Sequence, residues 1–407
     1  MGFQQGLSGL NAASKNLDVI GNNIANSNTV GYKDAQAHFA DVFANSLAAS
    51  GGSTVGIGVS VSGVDQSFSQ GNVTSTSNPL DLAVNGDGFF RLNSNGSTVY
   101  GRNGQFKLDK DGYVVNDSGA KLTGYLPNSA GVLVTSSPVD LNLSSNDIPP
   151  AVTTEVNAVL NLDSRSSTLL PASFNLTNSA TYTSSTSVNV YDSLGNSHVM
   201  SLYFLKSAAN TWQVFGANDG TQIGAAPLGT INFKTDGSID TATTTLPFNV
   251  STAVTTGATT PLAFTLDFTG STQFGSSFGV NQLTQDGATS GHLSGFSISA
   301  DGVIKGRYSN GLTTTLGQVA LANFTNKQGL QPLSDNVWAE TSASGQPLVG
   351  PPTSGSLGAI QSGAVEESNV DVTSELVNMI AAQRNFQANA QTIKTQDSIF
   401  QTLINGL

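Results

Sequence analysis

Large apolar residues recur at seven-residue intervals at both ends of this chain and nowhere between. Near the start the series is Phe3, Leu10, Leu17 and Ile24; near the end it is Val372, Met379, Phe386, Ile393 and Phe400. A strict seven-residue spacing holds an apolar seam on one side of a long helix, the geometry of helices that pack along one another. The long middle reads instead as turns and strands. A chain with helical ends and a β-rich middle most simply goes out and comes back, with its termini side by side. The fold class expected is therefore multidomain and mainly β. Its N- and C-terminal α-helices would pair as a coiled-coil-like stalk, and its domains would nest in an out-and-back order. That is the plan of a subunit built to assemble.

The first helix is expected from about Gly2 to Asn26, some 38 Å at ~1.5 Å per residue. Leu7 and Ile20 widen its apolar stripe, and Ala12, Ala13 and Gly21 are small enough to admit another helix. The run Asn26-Ser-Asn-Thr-Val-Gly31 should stop it, because Asn and Gly tolerate positive φ. The final helix adds Leu376 to its seam. Ser368-x-x-Asp371 fits a capping box at its start, and three of the five Glu in the chain (Glu366, Glu367, Glu375) cluster there, where negative charge suits the helix dipole. An isolated helix with so thin a seam is marginal in water, so both ends are expected to order on meeting a partner.

The spacing of turn signals divides the middle. Asn85-Gly-Asp-Gly88, Asn103-Gly104, Asp109-Lys-Asp-Gly112 and Asp117-Ser-Gly119 read as hairpin punctuation, Pro149-Pro150 as a boundary, and Asp192-Ser-Leu-Gly-Asn196 as a turn between two strands. A Thr/Ala/Ser-rich tract covers roughly 241–260. The expected domains are a terminal helical polymerisation domain (1–28 and 365–407), a linker region (29–75 and 358–364), a first β domain (76–150 and 287–357) and an outer inserted β domain (151–286).

Composition excludes several function classes. With 15 Lys and Arg against 27 Asp and Glu, a net charge of −12 argues against a nucleic-acid partner, which needs a basic patch. No basic amphipathic face suggests a membrane surface, and no apolar run approaches the roughly 18 residues of a membrane span. The N-terminus lacks the pattern of a cleaved secretory signal. Cysteine is absent, which removes disulfides, Cys-based zinc sites and Cys nucleophiles. His38, His198 and His292 have no second His at metal-ligand spacing. Asp109-Lys-Asp-Gly112 resembles the start of a calcium loop, but Ala120 stands where the bidentate Glu belongs. No nucleophile elbow, phosphate loop or dinucleotide fingerprint is present. No catalytic, cofactor or metal residue is assigned, and no enzyme is expected. Charged residues are only 10% of the chain, against roughly 25% in an average soluble protein. A polar but mostly neutral surface of this kind can press against copies of itself without strong repulsion.

Two long motifs carry a resemblance. Leu17-Asp-Val-Ile-Gly-Asn-Asn-Ile-Ala-Asn26, continuing to Thr29-Val-Gly-Tyr-Lys33, resembles the N-terminal signature of the bacterial flagellar rod and hook axial protein family. Glu366-Glu-Ser-Asn-Val-Asp371, with Glu375-Leu-Val-Asn-Met-Ile380 and Gln383-Arg-Asn-Phe386, resembles its C-terminal end. Phe89-Phe-Arg-Leu92, Arg102-Asn-Gly-Gln-Phe-Lys107, Leu122-Thr-Gly-Tyr125, Val190-Tyr-Asp-Ser-Leu-Gly-Asn196 and Leu316-Gly-Gln-Val-Ala-Leu-Ala-Asn-Phe324 are similar to segments of its hook-type members. The likeness spans nearly the whole chain and is weakest from about 241 to 290.

That resemblance implies a structural subunit of the flagellar hook, a flexible hollow tube that passes torque from motor and rod to filament. It implies signal-less type III export, an extracellular location in the flagellum, and as partners the chain itself, the export apparatus, the hook cap, the distal rod and the hook–filament junction proteins. The helix-packing residues expected are Phe3, Leu7, Leu10, Leu17, Ile20, Ile24, Val372, Leu376, Met379, Phe386, Ile393 and Phe400. Phe39-Ala-Asp-Val-Phe43 is similar to an export motif of the family; Phe39 and Phe43 could equally dock a linker in the assembled tube. A distal rod subunit is the nearest alternative, though rod-type members are typically shorter and lack the inserted region. A secreted β-rich adhesin or glycan-binding protein is an alternative from another class, and it leaves the two seams unexplained.

Overall fold

The computed structural model describes residues 2–42, 56–128, 131–143 and 147–405. Helix α1 (Gly2–Ala25) and helix α2 (Val372–Asn405) stand at the two ends, with only strands, turns and short 3-10 segments described between them. The cap of α2 differs from the expected capping box. Asp371 accepts hydrogen bonds from the backbone N–H of Thr373 (2.9 Å) and Ser374 (3.3 Å), while Ser368 accepts only from Val370 N–H. The N-cap is therefore Asp371, three residues later than the Ser-x-x-Asp spacing suggested. Asp is a strong N-cap by itself, because its carboxylate satisfies two orphan donors.

The chain forms two compact units, Met1–Ser145 with Gly295–Arg307 and Thr313–Leu407, and Asn146–Ser294 with Tyr308–Leu312. In the first, Phe89–Ser94 pairs antiparallel with Ser97–Gly101, placing Leu92 opposite Val99. The turn between them is Asn95-Gly96, both at positive φ. That is the type I′ chemistry of a two-residue hairpin, and it was not among the expected turns. Phe90, Leu92, Phe106, Leu122, Ile304 and Leu321 close one core. Phe89, Tyr100, Phe324 and Trp338 form a second, with edge-on ring contacts.

Two expected hairpin turns serve other ends. Leu82–Asn85, before Asn85-Gly-Asp-Gly88, pairs with Ala359–Ser362 rather than with the next strand. Gly104 donates no turn of its own; its carbonyl accepts from Leu82 N–H at 2.9 Å, and a Cβ there would lie 1.6 Å from the Leu82 carbonyl oxygen. Only glycine permits that approach. Asp109-Lys-Asp-Gly112 is a hairpin turn, as expected. Asp109 Oδ1 accepts from the N–H of Asp111 and Tyr113, so its carboxylate is used by its own backbone.

The second unit holds two five-stranded sheets. One is built on Glu155–Asp163, the other on Ser197–Ala208 and Thr211–Asn218. Burial in Ser197–Ala208 alternates through its first half, as a strand with one covered face requires. Inside lie Val156, Leu202, Phe204, Trp212, Leu266 and Phe268, all fully buried. The Thr/Ala/Ser-rich tract is not structureless: Phe248–Thr252 within it is a strand, with Phe248 and Val250 in the core.

Candidate assembly surface on the terminal helices

Helix α1 buries a different stripe from the one its large residues draw. Gly6, Ala12, Ala13, Ile20 and Asn23 are its buried positions. With Gly9 and Asn16, all of these but Ala12 follow a 3,4 alternation, 6-9-13-16-20-23, which is itself a heptad seam. Small residues there let α2 come close. A Cβ on Gly6 would lie 3.0 Å from Ile393 Cγ1, and one on Gly9 would lie 2.7 Å from Asn389 Oδ1. Those two contacts run in opposite chain directions, so the helices meet antiparallel, and each end of the chain supplies the other with partial cover.

The residues named from spacing take varied positions. Ile20 is buried, and Leu10, Leu17 and Ile24 are half-buried, while Phe3 (46%) and Leu7 (43%) stay exposed. On α2, Met379, Phe386 and Ile393 are half-buried, and Val372, Leu376 and Phe400 are exposed. Ala382, which spacing by large residues missed, is the one described α2 side chain that is fully covered. Phe39 lies exposed on strand β1 (Ala35–Val42), which pairs with β2 (Gly58–Gln66). Phe43 lies outside the described residues.

Below α1 the chain turns through Gly31, at φ +72°, whose N–H donates to the Glu366 carbonyl at 2.8 Å. Asn23 Oδ1 accepts from Ala35 N–H and Tyr32 Oη, and its Nδ2 donates to the Ala35 carbonyl. Next to this turn sits a buried ionic cluster. Lys33 Nζ is 2.6 Å from Glu366 Oε1, and Arg102 Nη1 is 3.0 Å from Glu366 Oε2. Gly71 N–H also donates to Glu366 Oε1, Lys33 to the Ser69 carbonyl, and Arg102 to the carbonyls of Val84 and Gly86. All three charged side chains are essentially excluded from solvent. Burial pulls the Lys33 ammonium below its ordinary value, against the opposing pull of Glu366. The Arg102 guanidinium is lowered by burial in the same way. Asn369 adds a further tie, accepting from Asp34 N–H at 2.7 Å and donating to the Ser67 carbonyl. Burial, together with the charge of Glu375, raises the Asp34 carboxyl.

Such a cluster adds little stability over apolar packing, but it tolerates only one geometry. It joins the exit of α1, the approach to α2 and the Arg102 loop at one fixed point. Sequence reasoning missed it because its members are up to 333 positions apart. The signal available was scarcity: five Glu in the chain, one of them beside an apolar strand.

Four family models match parts of the chain: a flagellar basal body rod protein domain at 3–33, a flagellar hook protein FlgE/F/G D1 domain at 83–157, a flagellar basal body protein FlaE D2 domain at 161–288, and a flagellar basal body rod FlgEFG C-terminal domain at 361–406. The flagellar hook protein FlgE of Escherichia coli K12 is 45% identical over 414 residues, covering 100% of both chains. The chain belongs to the flagellar hook protein family. FlgE of Salmonella typhimurium is 43% identical over the same full extent, and FlgE of Borreliella burgdorferi is 34% identical over 98% of each chain. The crystal structure of Helicobacter pylori flagellar hook protein FlgE2 shares the fold over 71% of this chain and 99% of its own, at a TM-score of 0.52 and 15% identity. This hook-family chain is a structural protein of the flagellum, mainly β and multidomain with helical termini. The matched models describe flagellar axial domains, not catalytic ones. No helix among the described residues is long and apolar enough to cross a membrane.

Proposed function

We propose that the chain polymerises into the flexible hollow tube of the hook and passes torque along it. In this reading α1 and α2 form a coiled-coil-like stalk, and the β domains nest outward in the order set out from the sequence. The observation that carries the reading is the double character of the helices. They meet through small residues, yet leave Phe3, Leu7, Leu376 and Phe400 uncovered. Burying one such side chain is worth ~1.5–3 kcal/mol, so copies of the chain would gain substantially by covering them. Phe3, Leu7, Leu10, Leu17, Ile20, Ile24, Val372, Leu376, Met379, Phe386, Ile393 and Phe400 would be the packing residues.

The Lys33–Glu366–Arg102 cluster would fix the angle at which torque enters the β domains. The inserted region about 151–286 would lie outside, where a polar surface with few charges and intervening water lets copies slide as the tube bends. Export through the type III apparatus, with Phe39 and Phe43 in the export motif, and contacts with the hook cap, distal rod and junction proteins belong to the same reading. Electron microscopy of the purified chain under polymerising conditions should show hollow tubes. A chain that stays monomeric at every concentration overturns the proposal.

A further inference from the structure

One cleft of the second unit carries an acceptor that the fold does not use. Asn218 ends the strand Thr211–Asn218, and the turn Asp219-Gly220, both at positive φ, leads into Thr221–Gln222. Across from it, the chain leaves the strand Phe248–Thr252 of the other five-stranded sheet through Ala253, Val254 and Thr255. Between these two segments lies a cleft of about 400 Å³. Asn218 lines it and is only 6% exposed, yet its Oδ1 has no hydrogen-bond partner. Leaving a buried amide oxygen unpaired costs folding free energy. Such an atom marks a place where a donor from another molecule gains more than it would at the surface.

The rest of the lining narrows the chemistry of that donor. Asp219 comes next in the chain, with its side chain half exposed. One of its oxygens accepts from Val199 N–H and the other lies 2.6 Å from His198 Nδ1. Each carboxylate oxygen has room for a second donor. His198 Nε2 is 3.3 Å from the buried Asp192. Even with His198 protonated, two carboxylates against one imidazolium leave a net negative charge, and no Lys or Arg lines the cleft. Thr221, Ser251 and Thr252 add hydroxyls, while Ile223 and Val254 add apolar wall. A primary alkylammonium has the complementary parts: three N–H donors and a positive charge at one end, and an apolar stem behind them. A neutral polyol would leave the negative charge uncompensated, and an anion would be repelled.

We propose that this cleft binds a primary alkylammonium group, with Asn218 Oδ1 and Asp219 taking its N–H donors and Ile223 and Val254 packing against its stem. The inference goes beyond the assembly reading and does not rest on it. A free aliphatic diamine and the lysine side chain of a polypeptide present the same chemistry, so the test carries an arm for each.

Putrescine, Nα-acetyl-lysine amide and the neutral isostere 1,4-butanediol would each be titrated into the full-length chain and followed by saturation-transfer NMR of the ligand. Both amines should bind with half-saturation near ~1 mM or tighter, and the diol should not bind in that range. The tighter of the two amines names the source. The deciding variant is Asn218→Leu, which replaces the unpaired amide by an apolar group of similar shape, a change that can be neutral or stabilising. It should melt no lower than the unaltered chain in calorimetry and raise the half-saturation concentration roughly tenfold or more. Asp219→Asn, which removes the charge and keeps the shape, should weaken binding by a similar factor. Amine binding that survives Asn218→Leu belongs to the general acidic surface of the chain and overturns the proposal. Equal binding of the diol, or no binding of either amine by the unaltered chain, overturns it as well.

Discussion

The inserted β unit and the terminal helices spend their apolar residues in opposite ways. In the β unit, Trp212, Phe204, Phe268 and Leu202 are wholly covered within one chain, and Trp212 Nε1–H is satisfied by Gln273. On the helices, several residues of the same kind stand open to solvent, among them Phe3, Leu7, Leu376, Ile380 and Phe400 at 43–59% exposure. A domain that must fold alone covers its large side chains and satisfies their polar atoms. A segment that keeps them uncovered holds binding free energy in reserve. Within one sequence the two strategies divide folding from assembly.

The sharpest way to break this contrast is to damage the β core. Trp212→Ala should destabilise the second unit by about 3–5 kcal/mol, seen as a lowered first transition in calorimetry, with the helices still competent to assemble. Tubes lost together with that core would show that the two functions are coupled. A comparable loss is expected at the ionic joint. Glu366→Gln keeps the shape but leaves Lys33 and Arg102 as uncompensated buried cations, at a cost of about 3–5 kcal/mol to the first unit. The triple replacement Lys33→Met, Arg102→Met, Glu366→Leu should recover most of it in denaturant titration. Stability regained with tubes that are malformed would mark the cluster as a setter of geometry.

Phe386→Ala should do less to the monomer, about 1–2 kcal/mol for a half-covered side chain, while polymerisation fails or becomes very weak. Normal tubes from this variant would show that Phe386 faces solvent or the channel. The smallest effect expected is a pH dependence of the β unit. His198 Nδ1 is 2.6 Å from Asp219 and its Nε2 is 3.3 Å from the buried Asp192. Burial pulls the imidazole down, but the two carboxylates outweigh it and its pKa is raised. A raised folded value means the stabilisation is complete below about pH 6.5, the unfolded value, and is lost as pH rises through the folded one. The melting temperature of the second unit should fall by a few degrees across that rise. His198→Gln should flatten the profile; an unchanged slope would assign the effect elsewhere.

Much of this was legible without coordinates. Seven-residue periodicity identified both helices, because a repeat near the helical period is local and leaves a one-dimensional trace. Turn chemistry at Asp109-Lys-Asp-Gly112 and Asp192-Ser-Leu-Gly-Asn196 was readable for the same reason: each carboxylate caps N–H groups two and four residues on. The motifs at 17–33 and 366–386 indicated the family before any fold was known.

What spacing could not supply was partnership. The helical face that touches α2 is drawn by Gly6, Gly9 and Ala13, residues whose importance is the volume they lack; Ala13 was picked out for its size, but Gly6 and Gly9 were passed over by a search for large apolar side chains. Pairing of 82–85 with 359–362, and the meeting of Lys33, Arg102 and Glu366, join positions hundreds of residues apart. Periodicity reports which side of an element is apolar. Which surface covers that side, and which is left bare for another molecule, depends on distances that only the folded chain defines.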